Sequence, residues 1–105
     1  MKTMQEWQKI ISAAANTKYP DNANWTEHRR LHSVAEQVQD VRASIDVEKG
    51  LMQSSDHAHQ DPDHRIAAAI ADLLILAEMR GADIDAELEK VLEWFNKPKG
   101  DNKSD

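Results

Sequence analysis

Ile66-Ala67-Ala68-Ala69-Ile70-Ala71-Asp72-Leu73-Leu74-Ile75-Leu76-Ala77 carries eleven apolar residues and one acid. A helix that is apolar around its whole circumference is buried, within its own chain or against a partner. A carboxylate in such a place is costly unless a cation, a metal or several hydrogen bonds compensate it. Acids of this kind concentrate at functional sites. Asp72 is therefore the first candidate residue. Its expected counter-charge is a metal ion or one of Arg29, Arg30, Arg42 and Arg65.

The flanks of this segment set the architecture. Only three glycines and three prolines occur, all between periodic segments, and this punctuation predicts an all-α fold. The helices are expected at about 3–16, 25–50, 62–80 and 84–96. Thr3-x-x-Glu6 reads as a capping box for the first, with Met4, Trp7, Ile10, Ile11 and Ala14 as its apolar face. Asn24-x-x-Glu27 reads as a second box. Beyond it Leu31, Val34, Val38, Val41 and Ile45 form a stripe that wants a partner helix. Asp61-Pro62 opens the third helix, and Gly81 supplies its left-handed end. Asp83 caps the fourth, whose expected buried face is Ile84, Leu88, Val91, Leu92 and Phe95. The prediction is one four-helix domain over residues 1–96, with a mobile polar tail over 97–105. One thin layer of four helices cannot cover both sides of the Ile66–Ala77 helix, so a homodimer is expected.

Composition excludes several classes. At 105 residues the chain is one small domain that buries roughly two thirds of its unfolded surface, and oligomerisation would support it. Thirteen basic against nineteen acidic residues, formal charge −6, argue against a nucleic-acid partner. No polybasic segment offers itself to a membrane, and the longest apolar run is too short to span one. The N-terminal Met-Lys-Thr-Met-Gln-Glu-Trp lacks the apolar core of a signal peptide, so a cytoplasmic location is expected. The absence of cysteine excludes disulfides, thiolate zinc sites and cysteine nucleophiles. There is no Gly-rich phosphate loop, and no serine has the context of a hydrolase nucleophile.

On the second helix Arg29, His32, Glu36, Gln39 and Asp40 share a polar face, with Glu36 one turn from both His32 and Asp40. If the second and third helices pack side by side, Glu36 and Asp72 face each other across the groove. Two such acids beside Gln39 make a plausible magnesium site, because that ion takes a few carboxylate oxygens and water. Magnesium there would bridge phosphate oxygens and orient a water for attack. A rival cluster is Asp56-His57-Ala58-His59-Gln60-Asp61-Pro62-Asp63-His64, which is either a polar loop or a transition-metal site using His57, His59 and His64. His64, on the first helical turn, also lies within reach of a ligand between the second and third helices. Trp7, Trp25 and Trp94 read as core or interface anchors before they read as base-stacking groups.

Val34-Ala35-Glu36-Gln37-Val38-Gln39 resembles the first signature, Glu-x-x-Glu, of the MazG-like all-α nucleoside triphosphate pyrophosphohydrolases. Ala68-Ala69-Ile70-Ala71-Asp72-Leu73-Leu74-Ile75 resembles the second, Glu-x-x-Asp before an apolar run. Ala77-Glu-Met-Arg-Gly-Ala-Asp-Ile-Asp-Ala-Glu-Leu88 is similar to that family's turn into its last helix. The resemblance covers about residues 25 to 96. It implies a magnesium site whose activated water cleaves an NTP or dNTP to the monophosphate and pyrophosphate. Carried over, the first acid is Glu36 and the last is Asp72; the second position is Gln39 and the third Ala69. Two of four carboxylates are therefore missing, with Asp40 as a candidate replacement. On this reading Glu36 and Asp72 are catalytic, and Glu36, Asp72 and Asp40 hold magnesium. Gln39, His32, Arg29, Arg65 and His64 contact the nucleotide, and Lys18 and Lys97 are further candidates to neutralise phosphate. The expected activity is weakened pyrophosphohydrolysis; the alternative is a non-catalytic dimeric nucleotide-binding or regulatory module on the same fold.

Overall fold

The computed structural model describes residues 1–53 and 61–98, and among these it is all-helical. The elements are α1 (Met4–Lys18), a short 3-10 turn (Pro20–Asn24), α2 (Glu27–Glu48), α3 (Pro62–Met79) and α4 (Ile84–Asn96). The helices packed most closely are α2 and α3, and α1 also packs on α3. The expectations for His57 and His59, and for residues 99–105 of the tail, lie outside the described residues.

Local chemistry sets most helix ends. The Thr3 hydroxyl accepts from Glu6 N–H while the Glu6 carboxylate accepts from Thr3 N–H, so both halves of the capping box form. Asp61 caps α3 ahead of Pro62, and Asp83 caps α4. Gly81 follows α3 at φ 67°, the left-handed region that a side chain would disfavour. The start of α2 differs from expectation. Thr26, not Asn24, is its N-cap and accepts from Arg29 N–H, because Asn24 is taken into the 3-10 turn.

Three expected faces also differ. In α1, Trp7 and Ile10 are exposed, and the fully buried residue is Gln8. Its side chain donates to the Ala82 carbonyl at 2.9 Å and accepts from Ile84 N–H at 3.2 Å. It thereby satisfies the polar backbone of the α3–α4 turn, which no apolar side chain can do. In α2 the residues that turn inward are Arg30, Val34 and Ser44, while Leu31 and Val38 stay exposed. The helix is rolled away from its apolar stripe. In α4 none of the thirteen residues is buried, and Leu88, Val91, Leu92 and Phe95 are all exposed. The start of α4 is nevertheless fixed, since Asp85 accepts from Met4 and Gln5 N–H at 3.1 and 3.0 Å. Those are first-turn donors of α1 without a helical partner, and a carboxylate suits that helix end.

The α3 helix is enclosed on one side only. Ala69, Leu74, Ile75 and Ala77 are buried, whereas Ile66, Ile70 and Leu73 form an exposed row at helical spacing. No helix of the described residues is long and apolar enough to cross a membrane.

Candidate functional site

Asp72 is buried, 6 % exposed, as its apolar surroundings required. Arg30 Nη1 donates to its Oδ1 at 2.8 Å, and the Ser33 hydroxyl donates to its Oδ2 at 2.6 Å. Arg30, one of the four arginines considered as counter-charge, is itself only 4 % exposed. This contact explains the roll of α2. Bringing Arg30 and Ser33 over Asp72 turns Leu31 and Val38 outward, and the helix gives up part of its apolar stripe to neutralise a charge.

The three acids proposed as ligands are not gathered. Glu36 has a 69 % exposed side chain, and its Oε1 lies 3.1 Å from His32 Nε2. Asp40 lies 3.5 Å from Arg65 Nη1. Asp72 belongs to Arg30 and Ser33. Each carboxylate thus has a separate basic partner, and the expected meeting of Glu36 with Asp72 does not occur. The reason is angular: Arg30 leads the face of α2 directed at Asp72, and Glu36, six residues on, lies about 120° round the helix from it and faces solvent. Gln39 and His64 are exposed as well. Among the described residues no group of three or more His, Asp or Glu is arranged to hold a metal. Magnesium prefers several oxygen ligands in near-octahedral array, and this donor set does not fit it.

What surrounds Asp72 is a cavity of about 700 Å³ between α1, the 3-10 turn, α2 and α3. Small side chains make the space: Ala68 and Ala71 on α3 and Ala15 on α1 form part of its wall. Lys18 and Tyr19 reach it from the end of α1, and Asp21 and Asn22 from the turn. Trp25 lines it from the end of the turn, and Arg29, Arg30, Ser33 and Gln37 from α2. Cation–aromatic stacking organises this wall. The Arg29 and Arg30 guanidiniums lie 4.4 and 4.2 Å from the Trp25 ring centroid, and Lys18 Nζ lies 5.5 Å from that of Tyr19.

Of the sequence candidates, Asp72 and Arg29 line the cavity; Glu36, Gln39, Asp40, His32, His64 and Arg65 do not. Lys18 lines it too, as considered for phosphate charge. Ser33 and Gln37 were missed. The signal for them is the series Arg30, Ser33, Gln37 at spacings of three and four, which places the three on one face of α2. No protein-family profile, curated protein or solved structure matches the chain.

Proposed function

We propose that this protein is a non-catalytic, homodimeric helical module that binds a nucleotide or related phosphate compound in the cavity around Asp72. The observation that carries this reading is the wall itself. Three cations, Lys18, Arg29 and Arg30, stand with two aromatic rings, Trp25 and Tyr19, around one concave space. Cavities of several hundred cubic ångströms with a few convergent polar groups are the usual form of small-ligand sites. Cations suit the phosphate, and the aromatic and alkyl surface suits the rest of the molecule. A binding role also accords with the pairing of Asp72 to Arg30, since a carboxylate held that way is poorly disposed to take a metal.

The dimer rests on the exposed apolar rows. Ile70 and Leu73 on α3 line an apolar groove of about 380 Å³ with Met4, Ile84 and Leu88, and Ile66 extends their exposed row. Leu92 and Phe95 continue the exposed surface along α4. Only five apolar residues, Val34, Ala69, Leu74, Ile75 and Ala77, are buried among those described, a small core for a stable monomer. A second copy presenting the same rows covers them by two-fold symmetry.

The resemblance to MazG-like enzymes supports a second reading, magnesium-dependent pyrophosphohydrolysis, and one observation favours it: Asp72, which matches the family's last acid, lies on the cavity wall. Calorimetric titration with nucleotides, with and without magnesium, and a pyrophosphate-release assay on a nucleotide panel separate the two. Binding without turnover supports the module. Magnesium-dependent pyrophosphate release that Asp72→Asn abolishes supports the enzyme, and absence of binding overturns both.

A further inference from the structure

The guanidinium of Arg30 is only partly used. Its Nη1 donates to Asp72, and Trp25 covers its face. Nε and Nη2 are enclosed and have no hydrogen-bond partner among the described residues. These two nitrogens form the side edge of the guanidinium, where two parallel N–H groups match two oxygens of one oxyanion. Enclosed donors of a cation without an acceptor are costly, and they are rare unless a ligand or water meets them. Arg30 is over nine-tenths buried and belongs to the cavity wall, where Arg29 and Lys18 supply further positive charge.

The charge of the wall limits the ligand. Lys18, Arg29 and Arg30 stand against Asp21 and Asp72, an excess of one positive charge. That excess offsets part of the charge of about −1.5 to −2 that one phosphate monoester carries near neutral pH. A triphosphate brings far more charge and ordinarily travels with magnesium, for which the donors here are unsuited. We infer that the Nε–Nη2 edge of Arg30 is an oxyanion subsite that takes the phosphate of a nucleoside monophosphate without a metal ion. Asp72 is then a positioning residue: through Nη1 it fixes the plane of the guanidinium and leaves the Nε–Nη2 edge without a protein acceptor among the described residues. This inference rests on the binding-module reading and adds to it the phosphate contact, the ligand class and independence from metal.

The test titrates the full chain, in excess chelator, with inorganic phosphate, AMP and ATP. AMP is expected to bind, phosphate more weakly, and ATP no more tightly than AMP. Arg30→Lys keeps the charge but removes the fork, and is expected to weaken AMP binding about tenfold or more. Since Arg30 is buried, a second variant guards against misfolding. Asp72→Asn keeps an acceptor for Nη1 and removes a negative charge beside the phosphate, so AMP is expected to bind several-fold more tightly. A metal-ligand role for Asp72 predicts loss instead. Undiminished AMP affinity in folded Arg30→Lys, or unchanged or weaker affinity in Asp72→Asn, overturns the inference. Nucleotide binding that appears only with magnesium overturns this inference but leaves the nucleotide reading standing. No nucleotide binding under either condition removes both.

Discussion

Arg30 and Asp72, forty-two residues apart in sequence, meet in a 2.8 Å ion pair with both side chains withdrawn from solvent. Removing one partner of such a pair leaves an uncompensated buried charge, whereas replacing both with apolar groups is often tolerated. Arg30→Met alone is expected to cost about 3–5 kcal/mol, and Asp72→Leu alone a similar amount. The double variant is expected to recover most of that loss. Denaturant unfolding of the four proteins of this cycle measures it; additive losses would mean that the pair is not coupled.

Gln8 should matter more than a polar residue in a helix ordinarily does. Gln8→Leu keeps the bulk but strands the Ala82 carbonyl and the Ile84 N–H. A loss of about 1–3 kcal/mol is expected from these orphaned groups. Amide exchange at Ile84 should accelerate beyond what the global loss explains. Exchange that merely follows global stability would show that Gln8 does not hold the α3–α4 turn.

The Glu6 carboxyl is held below its ordinary value of 4.5, first by the Thr3 backbone N–H that donates to it and then by the Thr3 hydroxyl. A lowered folded pKa gives a contribution to stability that is present above the unfolded value and lost as pH falls through the folded one. Thr3 sits at φ −74°, which proline adopts, so Thr3→Pro removes both donors without bending the chain. NMR titration should then show the Glu6 midpoint returning upward toward 4.5. The acid limb of the stability profile should lose the corresponding part.

The exposed rows on α3 and α4 predict a dimer at micromolar concentration, seen by sedimentation. Leu73→Glu and Leu92→Glu each place a charge on a surface that is apolar and open in the single chain. Each is expected to yield monomer and to lower the melting temperature, since assembly and folding stability are linked. A wild-type protein that sediments only as monomer would contradict the assignment of a second copy to these rows.

Local signals in the sequence were legible and the long-range ones were not. Thr3/Glu6, Asp61-Pro62, Gly81 and Asp83 lie within a turn of the ends they set, so their spacing alone reveals them. Asp72 stood out because its neighbours are uniformly apolar, and its burial followed. The roll of α2 could not be read from its periodicity, because Leu31 and Val38 fit the stripe better than Arg30 and Ser33 do. The outcome is set by a contact with α3. Gln8 was hidden for the same reason: its partners sit more than seventy residues away, on a turn. The α4 row was correctly apolar, but periodicity does not tell which body covers a face.

The most direct test of the account observes Arg30 itself. In nitrogen-resolved NMR its Nε–H is predicted to shift and become protected from exchange when AMP is added in excess chelator, while Asp72 stays paired to the other side of the guanidinium. An Arg30 Nε–H resonance that ignores AMP, or responds only once magnesium is supplied, would contradict the account.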